Sequence, residues 1–125
     1  MEEKLRRVYK ISAYFLFIGV IHMALTPVFY DQFSVDALWF VGTGLALVFL
    51  GLLNIVGERI FEPWVLNICI AANVVGLIYG LLIVIVLPEF QAFVSLMIFL
   101  AVTIGSITMR MSLTNEPIVV KGGLK

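Results

Sequence analysis

The chain has 125 residues, of which 62% are hydrophobic and 13% are charged, with eight basic and eight acidic side chains. Soluble globular domains carry about 25% charged residues, so this composition excludes an ordinary soluble fold. The zero net charge gives no indication of nucleic-acid binding.

The first predicted element is a membrane span over residues 9–30, directly after the basic segment KLRRVYK. Its apolar core is longer than the roughly 7 to 15 residues of a signal peptide, and no small-residue cleavage motif follows it. We therefore expect the span to be retained. It contains His22, the only histidine in the chain, and Pro27, which is expected to bend or end the helix.

Three further apolar segments are predicted to span the membrane, at 36–57, 63–88 and 90–110, each near or above the roughly 20 residues that a crossing requires. Ser34 and Asp36 are suited to begin the second helix, and Pro63 is suited to the first turn of the third. Pro88 ends the third helix and requires a tight hairpin to the fourth. Residues 1–112 then form one transmembrane domain, and 113–125 form a cytoplasmic tail.

The distribution of charge predicts how the chain is threaded. Lysine and arginine occur before the first span, between the second and third, and after the fourth, whereas the other two loops carry only Asp31, Asp36 and Glu89. Basic residues near span ends are held on the cytoplasmic side. The predicted fold is therefore an all-α, integral-membrane four-helix antiparallel bundle. Both termini are cytoplasmic and the acidic loops external, as expected in a bacterial cytoplasmic membrane.

Small residues recur every seven positions in the first two spans, which predicts close helix packing along these faces. The two stripes are Ser12, Gly19 and Thr26 in the first span, and Ala37, Gly44 and Gly51 in the second. The third span contains the G-x-x-x-G motif GLIYG, which serves either packing within the chain or dimerisation. Asn54, Asn67 and Asn73 are expected to form interhelical hydrogen bonds.

Catalytic and phosphate-binding motifs are absent, so an enzyme is not the favoured interpretation. The candidate cofactor-binding residues surround His22 in the outer half of the membrane; they are His22, Thr26, Tyr30, Trp39, Thr43 and Tyr79. The structural interpretation is that His22 bonds Thr43, Tyr79 or a carbonyl freed by Pro27. The functional interpretation is that it contacts a quinone-like head group, haem or a metal, although one histidine per chain is too few for a typical metal site.

Three functions remain open. The leading hypothesis is a non-enzymatic membrane protein that acts by helix association, as a homo-oligomer or as an accessory subunit of another membrane protein's complex. The first alternative is a binder of a small apolar ligand or cofactor around His22. The second is a small oligomeric transporter or channel, which is disfavoured because the apolar runs 11–30, 37–57, 63–88 and 90–109 contain no charged residue.

Overall fold

The computed structural model describes residues 2–115, and over that range it contains helices and no strands. The elements are α1 (Glu2–Phe15), α2 (Ile18–Ala24), α3 (Thr26–Phe29), α4 (Val35–Ile60), α5 (Pro63–Val86) and α6 (Phe90–Asn115). By length and composition, α4, α5 and α6 are long and apolar enough to cross a membrane. The chain is thus a helical protein with three candidate membrane-spanning helices.

The predicted first span is not one continuous helix, because two turns divide it into α1, α2 and α3. The backbone amides of Leu16 and Phe17 donate to carbonyls three residues earlier, at 3.2 and 3.0 Å, so the chain tightens into a 3₁₀-type turn there. The second interruption follows Ala24. Pro27 has no N–H for the Met23 carbonyl, which instead accepts a hydrogen bond of 2.7 Å from Thr26 Oγ1.

Several predicted helix ends are confirmed. Ser34 caps α4, since its Oγ accepts from the Ala37 backbone amide at 3.2 Å, and Pro63 occupies the first turn of α5. Phe61 ends α4 in the left-handed region, with φ of 53°. The helix α6 continues to Asn115, past the predicted end at 110 and into the predicted tail. The rest of that tail, 116–125, lies outside the described residues.

The helices pack as the small-residue stripes predicted. The helix α1 contacts α4 and α6, α2 contacts α4, and α5 contacts α4 and α6. Gly19 and Gly44 let α2 and α4 approach closely, because a Cβ on Gly44 would lie 2.7 Å from the Gly19 carbonyl oxygen. Both glycines of the G-x-x-x-G motif, Gly76 and Gly80, face the Phe99 ring of α6, so this motif packs within the chain.

The two ends of the structure differ in charge. We call the basic end the region where α1 begins, α4 gives way to α5, and α6 ends. The acidic end is the region of α3, the start of α4 and the connection between α5 and α6, with Asp31, Asp36 and Glu89. The basic residues of the basic end are Lys4, Arg6, Arg7, Lys10, Arg59 and Arg110.

Candidate ligand site around His22

His22 lies on α2 with its ring stacked on Phe40 of α4. The ring centroids are 3.7 Å apart and the planes differ by 21°. His22 Nε2 is buried and has no hydrogen-bond partner, and it is the one buried side-chain nitrogen or oxygen in that condition between residues 2 and 115. A buried polar atom without a partner costs free energy, because it loses the hydrogen bonds that water would form with it.

The hydrogen bond expected to anchor His22 is not formed, so that structural interpretation is wrong. Thr43 Oγ1 donates to the Trp39 carbonyl of its own helix at 3.1 Å. The Met23 carbonyl, which Pro27 leaves without a backbone donor, accepts a hydrogen bond from Thr26 instead. Tyr79 lies on α5 and is half exposed. Stacking on Phe40 therefore holds the imidazole in position while Nε2 remains unbonded.

A shallow, open hollow of about 390 Å³ adjoins this stack at the acidic end. Phe40 lines the hollow and also stacks on His22, so it connects the two. The Tyr30 ring lies 5.6 Å from the Phe40 ring, and the Trp39 side chain is 73% exposed. The lining combines three aromatic residues with one carboxylate, and two of its five residues carry a hydroxyl; these residues are Tyr30, Asp36, Trp39, Phe40 and Thr43.

Of the six predicted site residues, Tyr30, Trp39 and Thr43 line the hollow, whereas His22 does not line it and is connected to it only through its stack on Phe40. Thr26 is engaged with the Met23 carbonyl, and Tyr79 is not among the lining residues. Sequence reasoning missed Phe40. A signal was present: Phe40 is one helical turn before Gly44, and residues four apart on a helix share a face, so the packing stripe through Gly44 also placed Phe40 toward α2.

The side chains at this site offer hydrogen bonds and flat apolar surfaces. Among residues 2–115 no group of three or more histidine, cysteine, aspartate or glutamate side chains is placed to hold a metal ion. A neutral imidazole offers one donor and one acceptor, and the aromatic rings offer flat apolar surfaces. The site is thus suited to a flat ring that carries a polar atom.

A second buried polar group, the amide cluster, lies toward the basic end and consists of Tyr9, Asn54, Asn73 and Ser106. All four side chains are essentially inaccessible. The Asn54 and Asn73 amides face each other, and each Nδ2 donates to the other Oδ1 at 2.8 Å. Tyr9 Oη donates to Asn54 Oδ1 at 2.7 Å, and Asn73 Nδ2 also donates to Ser106 Oγ at 3.1 Å. The cluster therefore joins α1, α4, α5 and α6.

Bonds to the backbone complete the amide cluster. Asn54 Nδ2 donates to the Leu50 carbonyl at 2.8 Å, and Asn73 Nδ2 is 3.2 Å from the Val102 carbonyl. Ser106 Oγ donates to the Thr103 carbonyl at 3.0 Å. Because all of these polar atoms have partners, the cluster is explained by helix packing alone, as the sequence predicted for Asn54 and Asn73.

The charged side chains of the basic end are partly tied to one another. Arg6 Nε donates to Glu58 Oε1 at 2.8 Å, and Arg6 Nη2 donates to the Glu58 carbonyl at 3.1 Å. The guanidinium carbon also lies 5.4 Å from the Phe61 ring centroid. On the neighbouring helices, Arg110 Nε donates to Asn67 Oδ1 at 3.0 Å. These contacts fasten the start of α1 and the end of α6 to the connection between α4 and α5.

No protein-family model matches the chain, and no curated protein or solved structure is detectably similar to it. A functional assignment therefore depends on the geometry of the His22 site, the amide cluster and the basic end.

Proposed function

We propose that the protein is a non-enzymatic, four-span membrane protein that binds a small apolar ligand with a polar head group beside His22. The single observation that carries this proposal is the buried Nε2 atom of His22, which has no partner in the described chain although the ring of His22 stacks on Phe40, a residue that lines an aromatic hollow. A ligand atom that bonds to Nε2 removes the cost of burying it unbonded.

The four-span arrangement is supported by the way in which the segmented first element packs. The helices α1 and α2 contact α4, which is long and apolar enough to cross a membrane, and Gly19 and Gly44 bring α2 and α4 into close contact. The one-sided distribution of lysine and arginine favours cytoplasmic termini in an antiparallel bundle. Reporter fusions at either terminus test this threading, and a reporter that is active outside the cell contradicts it.

A quinone-like head group fits the His22 site better than haem or a metal ion does. A quinone ring stacks on an aromatic side chain such as Phe40 or Trp39, and its carbonyl oxygen accepts a hydrogen bond from the Nε2–H tautomer of imidazole. Haem or a metal would need further ligands, which the described residues do not gather around His22.

Native mass spectrometry from mild detergent tests the proposal, because it reports ligand, oligomer and partner together. We expect the wild-type protein to retain a small molecule or to take up an added short-chain quinone, and His22→Phe to lose that ligand while keeping the stack on Phe40. Tyr79→Phe is the matched control, since Tyr79 does not line the hollow, and it should bind like the wild type. Equal binding by His22→Phe, or no binding of any quinone by the wild type, contradicts the proposal.

The second candidate is helix association, the leading hypothesis from the sequence, and one observation favours it. Gly42 on α4 has no atom within 4 Å of its Cβ position, and Ala46, one turn later, is exposed. This pair of small residues makes no close helix contact within the described chain, whereas Gly19 and Gly44 bring two helices together. A dimer or a retained partner in native mass spectra that disappears in Gly42→Leu supports association. A monomeric wild type without a partner contradicts it.

A further inference from the structure

A second hollow, of about 310 Å³, lies at the basic end between the start of α1, the connection from α4 to α5, and the last turns of α6. It is independent of the His22 site. Its lining is mixed in character, with two charged groups, two hydroxyls and apolar walls; the residues include Glu3, Arg6, Phe61, Thr108, Met109 and Ser112. We call it the headgroup hollow.

Arg6 supplies a positive charge with donors to spare. Its Nε and Nη2 donate to Glu58, but a guanidinium carries five N–H groups, and the side chain is 46% exposed. Arginine is well suited to phosphate, since its planar donors match two phosphate oxygens. This side of the hollow therefore suits a phosphate group.

The remaining polar groups of the headgroup hollow act as acceptors. Thr108 Oγ1 donates its proton to the Ile104 carbonyl at 2.8 Å, and Ser112 Oγ donates to the Met109 carbonyl at 2.9 Å. Each hydroxyl thus offers only lone pairs to a ligand. The Glu3 carboxylate also only accepts, and the single salt bridge found between residues 2 and 115 joins Arg6 to Glu58, not Glu3. These three acceptors suit a group with several N–H donors and a positive charge.

A primary ammonium beside a phosphate satisfies both sides of the hollow. The ammonium has three N–H donors for the three acceptors, and the phosphate takes the free donors of Arg6. A choline group has no N–H donor, and a glycerol head group has no positive charge for Glu3. Phe61 and Met109 give the apolar wall along which an acyl chain leaves the head group.

The position of the headgroup hollow agrees with a lipid ligand. It lies beside the end of α4 at Ile60, just after the charged residues Glu58 and Arg59, and beside the last turns of α6. Head groups lie at the ends of apolar helices that cross a bilayer. We infer that the headgroup hollow binds the head group of an aminophospholipid, phosphatidylethanolamine.

A lipid series tests this inference without changing the protein. Native mass spectrometry follows the titration of the wild-type chain with phosphatidylethanolamine, its mono- and dimethyl derivatives, phosphatidylcholine and phosphatidylglycerol, all with the same acyl chains. We expect affinity to fall stepwise as N–H donors are removed, by about tenfold or more between phosphatidylethanolamine and phosphatidylcholine. Equal affinity across the methylated series, or tighter binding of phosphatidylglycerol, overturns the inference.

Variants locate the lipid in the hollow. Glu3→Gln should lower the affinity for phosphatidylethanolamine by about tenfold and should not lower that for phosphatidylglycerol, because phosphatidylglycerol has no ammonium that loses a countercharge. Glu62→Gln is the matched control, since Glu62 is an exposed carboxylate at the same end that does not line the hollow. Equal effects of the two substitutions overturn the assignment of the lipid to this hollow.

Discussion

The amide cluster and the His22 site both bury polar side chains between apolar helices, but only the amide cluster satisfies them. Asn54 and Asn73 bond to each other in both directions and to groups on neighbouring helices. His22 is only partly buried as a residue, but its Nε2 atom is buried and has no partner among residues 2–115. The amide cluster therefore stabilises the fold, whereas the contacts within the fold do not explain the unbonded Nε2 of His22.

The amide cluster and the His22 site should also respond differently to substitution. Removing a member of the satisfied cluster leaves its former partners unbonded in an apolar interior, which costs free energy of unfolding. Removing the unbonded nitrogen of His22 instead removes the unfavourable free energy of burying a polar atom without a hydrogen bond. Substitutions at the two sites should therefore change stability by different amounts and in different directions.

The largest expected effect is that of Asn73→Leu in the amide cluster. Leucine has a similar size but no polar atoms, so Asn54 loses its reciprocal bonds and Ser106 loses a donor. We expect the free energy of unfolding to fall by about 2 kcal/mol, measured by SDS-induced unfolding in mixed micelles. The double variant Asn54→Leu/Asn73→Leu should cost less than the sum of the single variants, because it leaves fewer unbonded partners. Stability equal to the wild type in Asn73→Leu contradicts the role given to the cluster.

The next effect concerns the close contact that supports the His22 site. In Gly44→Ala the new Cβ meets the Gly19 carbonyl, so α2 and α4 must move apart, and we expect a loss of about 1 to 2 kcal/mol in the same unfolding assay. Gly42→Ala is the control on the same helix, because its Cβ enters open space. A pair of variants with equal stability would show that α2 and α4 do not depend on this contact.

Some parts of the fold could be predicted from the sequence. Ser34 and Pro63 mark helix starts through local chemistry, and the seven-residue stripes of small residues predicted the meeting of Gly19 and Gly44. Each of these signals depends on residues close together in the chain or on one helix face. Local patterns of this kind can be recognised in a sequence before any tertiary contact is known.

Other features depend on tertiary contacts or on backbone geometry without a sequence mark. No proline marks the turn at Leu16 and Phe17, so this first interruption of the span was not predicted, whereas the second lies where Pro27 was expected to bend or end the helix. Tyr9 lies within the basic segment KLRRVYK, yet its ring is buried and its hydroxyl reaches Asn54. No sequence pattern indicates that contact, because it requires α1 to pack alongside the second half of α4. Phe40 differs from Tyr9 in this respect, because its position four residues before Gly44 on α4 was a signal available in the sequence.

A smaller effect is expected from Tyr9→Phe, which removes only the hydroxyl from the amide cluster. Asn54 Oδ1 then loses one of its two donors and keeps the bond from Asn73. We expect a loss of about 1 kcal/mol in SDS-induced unfolding. Tyr14→Phe is the matched control on α1, since the Tyr14 side chain is 46% exposed, and it should leave stability unchanged. A loss in Tyr14→Phe as large as in Tyr9→Phe would argue against a specific bond to Asn54.

The smallest effect on stability is expected from His22→Phe, and its sign decides the comparison. Phenylalanine keeps a ring to stack on Phe40 and removes the unbonded Nε2, so the free energy of unfolding should stay the same or rise by up to about 1 kcal/mol. A loss comparable with that of Asn73→Leu would mean that His22 has a structural partner and that the two regions do not differ. Unchanged or raised stability together with loss of quinone binding would mean that His22 serves ligand binding and does not stabilise the fold.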